Sequence, residues 1–151
     1  MRAGDSGPIR GLKGKVLAVD DCATMRLLLQ AALEARGYTV QAVDSGLAAL
    51  QAAADGPFEA IILDIEMPGL DGIAVGRALR QHPLTASAMI ALHTSLDEAQ
   101  VRGGFDRYDA FVAKSTGLLA LGERVDRLIQ ARRQPAPGAA ALPGADAMLA
   151  G

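Results

Sequence analysis

Five side chains in this sequence are suited to chemistry on phosphorus: the adjacent acids Asp20 and Asp21, a third acid at Asp64, a hydroxyl at Thr94 and an amine at Lys114. Each follows a short apolar run. Lys15-Val16-Leu17-Ala18-Val19 leads into Asp20, Ala60-Ile61-Ile62-Leu63 into Asp64, Ala88 to Leu92 towards Thr94, and Ala110-Phe111-Val112-Ala113 into Lys114. Three carboxylates sharing one pocket repel each other, and without a partner at least one has a raised pKa. A hard divalent cation relieves that repulsion, and Mg²⁺ suits a site with few carboxylates and several waters. Asp20, Asp21 and Asp64 are the expected metal contacts, some of them through water. Lys114 offers a point charge to Asp64 or to a phosphate oxygen, and Thr94 offers a hydroxyl donor. An ionised Asp64 beside a metal and an ammonium is suited to attack phosphorus and form an aspartyl phosphate.

These residues converge only if the elements carrying them are parallel. A continuous apolar run reads as a strand buried on both faces, the kind found inside a parallel sheet. Between the runs lie helical patterns. Met25, Leu28, Leu29, Ala32 and Leu33 form one stripe, stopped by Gly37. Thr39 to Val43 is a second strand, and Ser45 caps a second helix with Leu47, Leu50 and Ala54 inward, ending at Gly56-Pro57. Pro68-Gly69 fits the centre of a type II turn. Ile73, Val75, Ala78 and Leu79 mark a third helix, closed by His82-Pro83. A weak helix over Asp97 to Arg102 breaks at Gly103-Gly104, and Leu118, Leu121, Val125, Leu128 and Ile129 mark the last.

The order is β-α, repeated five times. It predicts an α/β fold, a doubly wound (βα)5 parallel sheet with helices on both faces. Every strand then ends on one edge, where open α/β sheets bind ligands. A strand-capping role explains any one of the five polar residues, but poorly explains all of them at that edge.

Composition narrows the function. With 15 basic against 17 acidic residues the net charge is −2, and no basic run appears, which argues against direct DNA binding. One cysteine excludes an internal disulfide and suits a reducing cytoplasm. No apolar run approaches the ~20 residues that cross a bilayer, so membrane insertion is not expected. Residues 1–14 read as a flexible lead-in, 15–133 as the folded domain, and 134–151 as a flexible Pro/Ala/Gly tail with no second domain after it.

The acid pair Asp20-Asp21, the block Asp64-Ile65-Glu66-Met67-Pro68-Gly69-Leu70-Asp71-Gly72, Thr94-Ser95 and Lys114 together resemble the receiver domain of bacterial two-component response regulators. The resemblance covers residues 15 to about 131. It implies a flavodoxin-like strand order 2-1-3-4-5, with a phosphoryl group passing from a sensor histidine kinase or phosphotransfer protein to Asp64. It implies that Thr94 and Phe111 switch together, and that the fourth helix, fifth strand and fifth helix report the change to a target protein. It also implies that Glu66 reaches the metal through its backbone carbonyl or a water, or tunes phosphate lifetime. Asp20 to Arg26 is similar to chemotaxis regulators, and His93-Thr94-Ser95-Leu96 resembles the receiver of chemotaxis coupling proteins.

Two departures stand out. The family usually has proline after the lysine, joined by a cis bond. Here it is Ser115, and a cis bond before a non-proline costs ~3 kcal/mol, so a trans bond is expected. The Thr94–Lys114 segment is short, and Arg107 stands where the family often has glycine, so the fourth helix is expected short, mobile or displaced. Bland readings apply to some residues: Glu66 as a solvated loop acid, His93 as strand-end packing, Phe111 as plain core, Cys22 without a redox role. Two other functions compete with a non-enzymatic switch. One is a phosphohydrolase with an aspartate nucleophile, which would want a second aspartate where Glu66 stands. The other is a receiver-like module that binds without phosphorylation.

Overall fold

The computed structural model describes residues 13–133. The expected tail and most of the expected lead-in lie outside the described residues. Lys13 and Gly14, at the end of that lead-in, bond where the chain passes from its first helix into its second strand: the Lys13 amide donates to the Gly37 carbonyl at 3.0 Å, and the Gly14 carbonyl accepts from the Thr39 amide at 2.9 Å.

The strands are β1 (Lys15–Val19), β2 (Thr39–Val43), β3 (Ala60–Leu63), β4 (Met89–Thr94) and β5 (Ala110–Ala113). The helices are α1 (Ala23–Glu34), α2 (Gly46–Ala52), α3 (Gly72–Gln81), α4 (Glu98–Arg102) and α5 (Leu118–Arg133). All five strands are parallel, in the order β2-β1-β3-β4-β5. β3 sits at the centre, and Ile61, Ile62 and Leu63 have no exposure at all. Each such side chain contributes roughly 1.5–3 kcal/mol of burial. Alternation along the strands sends Leu17, Ile61, Leu63, Ile90 and Leu92 to one face, with Ala49, Val75, Leu79 and Val101 of α2, α3 and α4. Val16, Ala18, Ile62, Met89 and Ala91 go to the other, with Leu29 and Leu33 of α1 and Leu121, Val125 and Ile129 of α5.

Local expectations hold at several junctions. Ser45 accepts from the Ala48 amide at 3.0 Å, and Gly69 takes the positive φ of 80° that a type II turn requires; beyond those expectations, Asp71 caps α3 by accepting from the Ala74 amide at 3.0 Å. Elsewhere the structure differs. α2 turns Gly46, Ala49 and Ala52 inward, leaving Leu47 exposed. A Cβ on Gly46 would meet the Leu70 carbonyl and the Val75 side chain, so this face must be lined by small residues. On α1 the buried stripe is Leu29 and Leu33, and Leu28 is 46% exposed. β4 runs two residues past Leu92 and takes His93 and Thr94 into the sheet.

One polar hub joins α5 to α1 and β2. Asp126 accepts from the Tyr38 hydroxyl at 2.6 Å, from Lys13 Nζ at 3.2 Å and from Arg36 at 3.4 Å. Burial works against its charge, but these donors outweigh it and hold the Asp126 carboxyl below the usual range. A depressed folded pKa stabilises the fold above the unfolded value of about 3.9, and that stability fades as pH falls through the folded value. Asp126→Asn should therefore cost about 2 kcal/mol in urea unfolding at neutral pH. The gap to wild type should close in strong acid.

Candidate functional site

The C-terminal ends of β1, β3, β4 and β5 meet at one edge, as the sheet order requires. β1 delivers Asp20 and Asp21, β3 delivers Asp64, β4 ends in Thr94, and the chain leaves β5 at Lys114. Asp64 is 2% exposed and Asp20 fully buried, while Asp21 is exposed at the rim. One carboxylate oxygen from each of Asp20, Asp21 and Asp64 lies within 4.8 Å of the other two.

Lys114 bridges two of them. Its ammonium donates to Asp64 Oδ2 at 3.0 Å and lies 3.3 Å from Asp20 Oδ2. The second contact is a charge contact, off-line for a hydrogen bond, so Asp20 Oδ2 is buried with no hydrogen-bond partner. Asp20 Oδ1 accepts from the Cys22 amide at 2.9 Å, and Asp64 Oδ1 from the Glu66 amide at 3.2 Å. Burial, with a smaller push from Asp20, raises the Asp64 pKa despite the Lys114 hydrogen bond. Burial also opposes the charge on Lys114, yet its acid neighbours together raise its pKa.

Hard oxygen donors, crowded negative charge and a buried acceptor with a free lone pair fit a divalent cation. Asp20, Asp21 and Asp64 are the side chains placed to hold it. The Glu66 carboxylate is exposed and outside that group. Thr94 is fully buried, and its hydroxyl oxygen accepts from the Leu96 amide at 3.2 Å. Phe111 is half-buried and packs with the cluster on the α2–α3–α4 face.

The departures have structural counterparts. The Lys114–Ser115 bond is trans, since Gly56–Pro57 is the one cis bond among the described residues. A short 3-10 turn over Lys114–Thr116 aims the lysine instead, with Gly117 at φ 98° releasing the chain into α5. α4 is five residues long. His93 is 1% exposed with neither ring nitrogen partnered, and burial, then Lys114, lowers its pKa. It is a neutral packing residue, as expected.

The sequence motifs contain Arg26 and Gly72 but do not show their roles, and Asp109 lies outside them. Arg26 donates to the Asp20 carbonyl at 2.9 Å and props the acid pair from α1. Asp109 accepts from the Ile90 amide at 2.8 Å and pairs with Arg80 at 2.9 Å, fixing the start of β5. Gly72 lets α3 begin directly against the Asp64 carbonyl. The signal for Arg26 is its place at the first turn of a helix that starts beside the acids.

Comparison with known proteins agrees with this geometry. Residues 16–126 match the family model described as the response regulator receiver domain. The chain is 40% identical over 103 residues to the sensor histidine kinase GacS of Pseudomonas protegens, covering 62% of this chain and 11% of that protein. It is 33% identical to the transcriptional regulatory protein TcrA of Mycobacterium tuberculosis, covering 99% of this chain and 59% of the relative. It therefore spans less than two thirds of the curated relatives it matches. Among solved structures, the chemotaxis protein CheY4 of Vibrio cholerae superposes with a TM-score of 0.68 at 27% identity, over 75% of this chain and 96% of that one. The response regulator TrrA of Thermotoga maritima, solved in complex with Mg²⁺-BeF, superposes with a TM-score of 0.65 at 32% identity, over 76% and 97%. The flavodoxin-like strand order agrees with these matches, and the family model spans most of the chain: the chain belongs to the response regulator receiver domain family.

Proposed function

We propose that this receiver accepts a phosphoryl group on Asp64 and thereby changes its affinity for a target protein. The observation that carries the reading is the contact of Lys114 Nζ with Asp64 Oδ2 at 3.0 Å, beside two further clustered acids. The donor is a phosphohistidine of a sensor kinase or phosphotransfer protein. An Asp64 oxygen attacks phosphorus, the bond from phosphorus to the donor nitrogen breaks, and the electron pair returns to the imidazole. The Lys114 ammonium, drawn to Asp64 in the free protein, then meets a phosphoryl oxygen. Asp20, Asp21 and Asp64, with Glu66 through its backbone carbonyl or a water, would hold Mg²⁺, which would neutralise charge on the transferring group. The Thr94 hydroxyl turns from Leu96 to a phosphoryl oxygen, and Phe111 follows it inward.

In this reading the chain is a switch, not an enzyme, apart from self-labelling by small donors and slow loss of its own phosphate. Glu66, exposed at the position a phosphohydrolase would fill with its acid, weighs against that alternative. The place of this work in our reading is the cytoplasm; among the described residues no helix is long and apolar enough to cross a membrane. The test is labelling by a small acyl phosphate with Mg²⁺. Wild type should take up one phosphoryl group per chain, and Asp64→Asn should lose the signal by at least ~100-fold. Equal labelling of Asp64→Asn would refute the assignment, and sustained turnover of assorted phosphomonoesters would favour the hydrolase.

A further inference from the structure

α4 is the least anchored helix of the fold. It is five residues long and buries only Val101. A helix so short does not hold itself in place, so the side chains that reach it set its position. Tyr108, in the loop before β5, reaches it twice. Its hydroxyl donates to Glu98 Oε2 at 2.5 Å and accepts from Arg102 Nε at 3.4 Å. The Arg102 guanidinium also lies over the ring, 5.9 Å from its centroid. The same ring packs against Phe111, with centroids 6.1 Å apart, and against Phe105 at 6.2 Å.

The two aromatic neighbours differ. Phe105 is 3% exposed and wedged on Gly76 of α3, where even a Cβ would strike the ring. Phe111 is half-buried beside an open groove shared with Thr116, Ala120 and Arg124. One neighbour is a fixed post, and the other has room to leave. α4 and the Phe111 ring therefore share a partner that grips both in the arrangement seen here.

We propose that Tyr108 is a latch: it ties α4 to the half-buried Phe111 ring and holds the arrangement seen here. The inference rests on reading Phe111 as the switch. Contacts made in one arrangement oppose departure from it, so removing them favours the other and tightens any ligand that selects it. The hydrogen bond to the Glu98 carboxylate is charge-assisted, the stronger kind.

The test uses the full chain, with Mg²⁺ and beryllofluoride standing in for the phosphoryl group. Tyr108→Phe keeps the ring and removes the hydroxyl, while Glu98→Gln weakens the acceptor. Each should lower the half-saturating beryllofluoride concentration by about five- to tenfold, while Glu34→Gln on α1, away from α4 and the Phe111 groove, leaves it unchanged. In the unliganded proteins, the NMR signals of Val101 and Phe111 should shift together, along one line, across wild type and both variants. Unchanged or weaker binding in both variants would overturn the latch, as would Val101 and Phe111 shifts that bear no common line. If beryllofluoride binds wild type but leaves Phe111 unmoved, the switch reading itself falls and the latch with it.

Discussion

Asp20→Asn should weaken Mg²⁺ binding by roughly 100-fold and at the same time stabilise the metal-free protein. Both effects follow from one atom. Asp20 Oδ2 is buried without a hydrogen-bond partner, with the Lys114 ammonium 3.3 Å away as its charge contact. An asparagine amide there offers a donor or a neutral oxygen in place of an ionised acceptor. Asp20 also helps to raise the Asp64 pKa, after burial itself. A carboxyl whose folded pKa is raised favours the fold most below its unfolded value. That advantage is lost as pH rises through the folded value, where ionisation in the buried site becomes a penalty. Removing the Asp20 charge reduces the penalty. Thermal unfolding should show a higher midpoint for Asp20→Asn without metal, and a large Mg²⁺-induced rise in wild type that the variant lacks. A variant that gains as much from Mg²⁺ as wild type would show that the ion binds elsewhere.

The largest loss of stability from a single added carbon should come at Gly72. A Cβ there would strike the Asp64 carbonyl oxygen and Ile65 Cα, both backbone atoms of the loop that carries the proposed acceptor. Backbone cannot swing aside as a side chain end can. The Gly72 amide also donates to the Ile65 carbonyl at 3.0 Å, so helix and loop are already locked together. Gly72→Ala should cost about 3 kcal/mol in urea unfolding, at the upper end for overpacking. It should also slow phosphoryl uptake, because relief of the clash displaces Asp64. Gly103→Ala is the matched control. A Cβ there meets nothing, and its φ of −63° suits any residue, so its stability should change by less than about 1 kcal/mol.

The sheet and its rim were readable because apolar runs ending in one polar residue leave few alternatives. Val16 to Val19 and Ala60 to Leu63 can only be buried strands, and parallel pairing then sets Asp20, Asp64 and Lys114 on one edge. What hydrophobicity alone misplaced was the inward face of α2. Leu47 looks like core in sequence, but the close approach to Leu70 and Val75 admits only Gly46 and the alanines. Periodicity also could not stop β4 at the right residue, because His93 and Thr94 are polar yet continue the ladder beside Val112 and Ala113. The Asp126 hub joins segments distant in sequence, and the Tyr108 contacts, though near in sequence, come from a loop whose side chains follow no regular period. The Lys114 turn was half readable: Ser115 predicted the trans bond, but not the 3-10 turn that aims the lysine.

The phosphoryl group should arrive on one particular carboxylate, that of Asp64. Borohydride reduces an acyl phosphate and converts the modified aspartate to homoserine, which peptide mass spectrometry can place by residue. After exposure to an acyl phosphate with Mg²⁺, the account predicts homoserine at position 64 and almost none when the metal is chelated. Homoserine at position 20 or 21, or the same yield at position 64 with and without metal, would contradict it.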